Sequence, residues 1–152
     1  MRRIRQAGVA AALVPLLAAC LPEPPAPPAT VAPLPMKALM EHVIDPAADV
    51  FWGASGTIIT AAGEKSRAPT TPEGWAAAVG AAATLVEGST LLSLPGRARE
   101  GEWRRYAAEL GAAATEGMKA AEAKDEKAVF DSGGRIYLAC RACHMKYVPG
   151  YK

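Results

Sequence analysis

The chain has 152 residues, 51% of them hydrophobic but only 6% aromatic, with 17 Lys plus Arg against 15 Asp plus Glu. Once an N-terminal signal is set aside, this length holds one hydrophobic core and is too short for two ordinary domains. Alanine supplies much of the apolar content and favours helix over strand. Without Arg2, Arg3 and Arg5, which lie in the segment expected to be cleaved, 14 basic residues face 15 acidic ones, so no basic patch argues for a nucleic-acid partner.

Residues 1–19 have the parts of a secretory signal: arginines, the apolar run Ala7 to Ala19, and a small-residue exit at Ala18-Ala19-Cys20. About thirteen apolar residues cannot cross a hydrocarbon core that needs roughly 20, which argues against an uncleaved anchor helix. Leu17-Ala18-Ala19-Cys20 resembles a bacterial lipoprotein lipobox. The resemblance implies that Cys20 is lipidated as the first mature residue, anchoring the protein to a membrane on its periplasmic face, with the outer membrane preferred because Leu21 and not aspartate follows. Residues 20–35 then form a lipidated cysteine and linker. Seven of the fifteen residues from Leu21 to Pro35 are proline, and such a segment reaches about 45 Å in polyproline II form.

Residues 36–152 divide at turn signals into four alanine-rich helical stretches. The first is expected from Met36 to about Ala62, with a kink or break at Asp45-Pro46, where proline lacks a backbone donor and Asp45 can cap a second segment. Gly63 to Thr70 is polar. Thr71-Pro72-Glu73 then combines an N-cap, a first-position proline and a first-turn acid, starting a helix that runs to about Ser93. A third runs from about Glu100 to Ala123, and Asp125 caps a fourth that ends before Val148-Pro149-Gly150. Four helices with short joints predict an all-α, antiparallel four-helix bundle.

Cys140-Arg141-Ala142-Cys143-His144 in the last helix is a C-x-x-C-H run, the attachment signature of c-type haem. Two thiols three residues apart can each add to a haem vinyl group, and the histidine beside them can bind the iron. A thioredoxin-like site would need a βαβ context and a helix N-terminus. Zinc would need a fourth ligand, with only His42 and Cys20 outside the motif, and a disulfide across one helical turn is strained. The cofactor expected is therefore one covalent haem c, on Cys140 and Cys143 with His144 as proximal iron ligand. Maturation would then require haem attachment machinery outside the cytoplasm.

A four-helix chain with this motif in its last helix resembles the class II c-type cytochromes, cytochrome c prime and its low-spin relatives, over about residues 36–152. The stretch MKALMEHVIDPAADVFWGASG is similar to the first-helix segment of exported class II-like proteins. In that family the first helix lines the distal face of the haem. It either supplies a methionine or leaves the iron open, and so separates electron transfer from gas binding. Met36 and Met40 share a helical face, and Met40 is the preferred ligand because Met36 follows Pro35 at the helix end. An open iron binding NO or CO is the alternative. High-spin members carry an arginine one turn before the distal residue, where this chain has Met36. That departure argues against a literal carry-over from the gas-binding members.

His42, two residues from Met40, is rotated by roughly 200° and is expected in solvent. On the haem helix, Tyr137, Gly133 and Phe130 share the face of His144. Tyr137 is expected to touch the haem, and Gly133 to let another helix approach closely. Trp52, Trp75 and Trp103 are expected to anchor the core, and Arg97, Arg99 or Arg141 to pair with haem carboxylates. No paired acids or His–carboxylate arrangement suggests an enzyme. The function expected is that of a membrane-tethered electron carrier with His144 and Met40 on the iron, serving an unidentified redox partner. Relatives dimerise through their first two helices, but Ala77, Ala78, Ala81 and Ala83 suit intrachain packing equally, so a homodimer is left open.

Overall fold

In the computed structural model, residues 32–152 are described. The expected signal at residues 1–19, the lipidation site Cys20 and most of the linker at 20–35 lie outside the described residues. From Pro33 to Lys152 the chain forms one unit that is mostly helical, as expected, with one small hairpin that was not. The elements are α1 (Met36–Leu39), a π-helical turn (Met40–Ile44), α2 (Asp45–Gly53), β1 (Thr57–Thr60), β2 (Gly63–Ser66), α3 (Pro72–Ser93), α4 (Trp103–Glu122) and α5 (Glu126–Tyr147).

Of the kink or break expected at Pro46, no break occurs: the helix runs on into α2 through the π-helical turn. Asp45 keeps helical dihedrals (φ −61°, ψ −47°), makes no side-chain cap, and its amide bonds to the Met40 carbonyl five residues back. Proline cannot supply an amide to the carbonyl four residues before it, and its ring crowds that turn. Widening the preceding turn by one residue relieves both problems and keeps the helix running, as π-bulges do.

The first helix also stops at Gly53, short of the expected Ala62. Gly56 has φ +92°, and Thr57-Ile58-Ile59-Thr60 is a run of β-branched residues that lose rotamer freedom in a helix and suit a strand. β1 pairs antiparallel with β2, from Thr57 opposite Ser66 to Thr60 opposite Gly63. Ala61-Ala62 form the two-residue turn, where the Thr60 Oγ1 accepts from the Ala62 amide at 3.2 Å. The Ser66 hydroxyl donates to Glu126 at 2.5 Å, tying the hairpin to the start of α5.

The long helices begin and end where their caps dictate. Thr71 Oγ1 accepts from the Gly74 amide at 3.2 Å, and Asp125 Oδ1 accepts from the Ala128 amide at 2.9 Å. α4 packs along both α3 and α5, while α2 reaches α3 and α5. α3 has the length and apolar composition of a membrane-crossing segment, but alanine and leucine supply that character, and Ala78, Ala82 and Leu85 are buried against the other helices.

The core is alanine-rich, with Phe51, Leu85, Val129 and Ile136 fully buried. Small residues bring the helices close. A Cβ on Gly117 of α4 would stand 2.5 Å from Phe51 Cζ, and one on Gly133 of α5 would stand 3.2 Å from Trp52 Cδ1. The close approach expected at Gly133 is thus to α2, and Trp52 Nε1 donates to the Gly133 carbonyl at 3.0 Å. Trp75 and Trp103 are buried as expected, whereas Trp52 is only half-buried.

Candidate cofactor site

Cys140 and Cys143 stand one turn apart on α5, half-buried on its inward face, with His144 beside them. Four elements close around them. A pocket of about 30 Å³ is lined by Cys140, Cys143 and His144 from α5, Leu110 from α4, Leu92 from α3, and Met40 from the π-helical turn. A wider cleft of about 630 Å³ shares Met40, Cys143 and His144 with that pocket and continues past Met36, Arg99 and Tyr151 to the surface. The two methionines proposed as alternative ligands therefore face one cleft, with Met40 alone reaching its inner end. The π-helical turn Met40–Ile44 packs on α3, and neither it nor α1 makes a direct backbone approach to α5, so a slot separates the methionine-bearing segment from the cysteine-bearing helix.

Burial pushes the Cys140 thiol up to about 11, with the carboxylate of Asp45 and then Cys143 adding to the effect. Burial also raises the Cys143 thiol, partly opposed by the guanidinium of Arg99. Thiols used in disulfide exchange are shifted downward, by helix N-termini or nearby cations. These two are shifted upward, and so are poor thiolates. The His144 imidazole lies edge-on to Tyr151, with ring centroids 5.3 Å apart. Among the described residues no three of His, Cys, Asp and Glu converge to hold a bare metal ion, and His42 is exposed, as its rotation from Met40 implied.

Beneath the cleft, Trp103 Nε1 donates to the Leu92 carbonyl at 2.7 Å, and the Tyr147 hydroxyl donates to the Glu100 carbonyl at 2.7 Å. The two rings meet edge-to-face with centroids 5.1 Å apart. This pair pins the α3–α4 loop to the end of α5. It also fixes Arg99, whose guanidinium lies 5.5 Å over the Trp103 ring at the cleft wall. Of the three arginines considered, Arg99 is at the site. Arg141 lines a separate groove between α4 and α5 with Glu109 and Glu116, and Arg97 donates to the Leu34 carbonyl at 2.8 Å.

Tyr137 is not brought to this pocket. It stands about 10.5 Å from His144 along the helix axis, meets Trp52 edge-to-face at 6.3 Å, and lines a different surface hollow. Seven residues fall only about 20° short of two full turns, so Tyr137 keeps nearly the face of His144, and it is the distance along the axis that takes it out of the pocket and to Trp52. Sequence reasoning missed Leu92, Tyr106 and Leu110, which wall the pocket from α3 and α4. It also missed the π-helical turn that carries Met40, of which Pro46 was the visible signal.

Comparison of the chain with family models, with curated proteins and with solved structures found no match.

The chemistry of this donor set fits a haem. Two neutral thiols on one helical turn, an imidazole beside them and a thioether lining the same pocket are the donors that covalent attachment and iron binding would use. A cleft of about 630 Å³ falls within the roughly 300–1,000 Å³ usual for cofactor sites.

Proposed function

We propose that this protein is a monohaem c-type cytochrome that carries electrons, in which His144 and Met40 would hold the iron. The observation that carries the reading is that Cys140, Cys143, His144 and Met40 line one pocket, although about a hundred residues of sequence separate Met40 from the others. We read the fold as an antiparallel four-helix bundle of class II type, its arms being Met36–Gly53, α3, α4 and α5. The motif in the last arm and the methionines in the first support that reading.

Haem when bound supplies one-electron exchange at its iron. The chain's own residues hold and tune it. Cys140 and Cys143 would hold the haem covalently through thioether bonds. The raised thiol pKa values leave both sulfurs protonated before attachment. His144 offers a ring nitrogen and Met40 its sulfur. Leu92, Leu110 and Ile44 keep water from the inner face, and Arg99 places a cation at the open side. The signal and lipobox support a periplasmic protein tethered by lipid on Cys20, docking to a redox partner, with no catalytic residues of its own.

The test is expression with haem attachment machinery, followed by optical spectra. Wild type should carry one covalent haem, lost in Cys140→Ser/Cys143→Ser, and show a methionine-to-iron charge-transfer band in the oxidised state that Met40→Ala abolishes. A high-spin wild-type spectrum with rapid CO uptake would overturn the carrier role and assign gas binding. Absence of covalent haem would overturn both.

A further inference from the structure

A second hollow lies outside the cofactor site, between the C-terminal end of α2, the hairpin and the middle of α5. Its volume is about 450 Å³, within the roughly 300–1,000 Å³ of small-molecule sites. Phe130 and Tyr137, seven residues apart on one face of α5, line it together with Trp52. Phe130 is 60% exposed and Tyr137 49%. Two large aromatics left this open on one helix, with a half-buried tryptophan between them, form an apolar patch of the kind that marks a binding surface.

Three further features make it a built site. Gly134 lines the hollow, and a Cβ there would meet nothing within 4 Å. Packing therefore does not explain a helix-weakening residue at this position, but it leaves room for a ligand against the helix backbone. Ser55, 7% exposed as a residue, lines the same hollow, and its hydroxyl makes no hydrogen bond among the described residues, which leaves it free to donate to a ligand. Arg67, just beyond β2, brings its guanidinium to the rim, with Nη2 3.7 Å from where a Cβ on Gly53 would stand. It forms no ion pair among the described residues.

We propose that this hollow binds a small aromatic carboxylate. The aromatic walls favour a flat ring, edge-on or offset-stacked. The guanidinium offers a carboxylate the two-pronged hydrogen bond that Arg makes best, and the Ser55 hydroxyl is a further donor to it. The open space above Gly134 takes the ring. A neutral hydrocarbon would leave Arg67 and Ser55 unused.

The site is independent of the haem reading, and its test does not depend on it. 2-Naphthoate is titrated into the full chain and followed by calorimetry and by the indole N–H signals of the three tryptophans. Saturable one-to-one binding is expected, moving the Trp52 signal and leaving those of Trp75 and Trp103 in place. Neutral 2-naphthamide should bind at least about tenfold more weakly, the worth of one charge-assisted pair. Arg67→Gln should reproduce that loss for the acid, Arg67→Lys should recover part of it, and Gly134→Leu should fill the hollow and abolish binding. Absence of saturation in the unmodified chain, movement of all three indole signals together, or equal affinity for acid and amide would each overturn the proposal, and none of these requires a variant to fold.

Discussion

Alanine at position 117 should destabilise the protein, although alanine is the better helix former. Gly117 is buried in the middle of α4, and the new Cβ would stand 2.5 Å from Phe51 Cζ, 3.1 Å from Ser132 Oγ and 3.2 Å from Phe51 Cε1. Carbon atoms rest at about 3.5–4.0 Å, so the overlap with Phe51 is close to 1 Å. The ring is enclosed by the core, since Phe51 is 0% exposed. Overpacking of this kind costs about 1–3 kcal/mol, and an overlap this deep belongs at the upper end. Helix propensity returns about 1 kcal/mol, leaving a net loss of about 2 kcal/mol, or a fall in Tm of roughly 8 °C for a domain of this size. Gly134→Ala is the internal control. With nothing within 4 Å of its Cβ, it should gain about 1 kcal/mol. Urea and thermal unfolding followed by far-UV circular dichroism measure both. Phe51→Leu should cost less beside Ala at 117 than in the parent chain, by about 1 kcal/mol or more. A Gly117→Ala protein as stable as the parent, or strict additivity with Phe51→Leu, would refute the wedge of Phe51 between α4 and α5.

Two further outcomes follow from the site. In chain made without haem attachment, alkylation of Cys140 should be slow at neutral pH and accelerate only as pH approaches about 11. Stability should fall across the same interval above the ordinary thiol value of 9.0, because there the folded chain keeps a proton that the unfolded chain has lost. Rapid labelling of Cys140 near neutral pH would show that the pocket does not desolvate it. Trp103→Phe removes the donor that reaches the Leu92 carbonyl at 2.7 Å and should cost about 1–3 kcal/mol in urea unfolding through that unpaired buried carbonyl. A change under about 0.5 kcal/mol would mean that water replaces the bond.

Much of the helical layout was legible in the chain because its signals are local. Thr71 and Asp125 announce their helices through a side-chain oxygen and an amide three residues away, and Ser93 and Tyr147 end theirs next to Pro95 and Pro149. The first arm was misjudged where two local signals competed. Alanines around Thr57–Thr60 suggested helix, but the β-branched run and the left-handed Gly56 turned the chain into a hairpin. At Pro46 the absence of a donor was legible, whereas its consequence was not. Breaking the helix and widening it by one residue both answer a missing amide, and the packing of Ile44, Ala47 and Ala48 into the core favours the continuous form.

The C-x-x-C-H run itself needs no tertiary information. Cys140, Cys143 and His144 are neighbours along one helix, and their chemistry is written in their spacing. What faces them is a different kind of fact. Met40 and His144 line one pocket, Arg99 and not Arg141 reaches the cleft, and Tyr137 meets Trp52, because the depth at which the other segments pack along a helix decides which side chains of one face share a site. Contacts within a turn are set by the chain's own geometry. Contacts between segments a hundred residues apart depend on how the alanine and glycine surfaces of the helices settle against one another, and only the packed structure decides that.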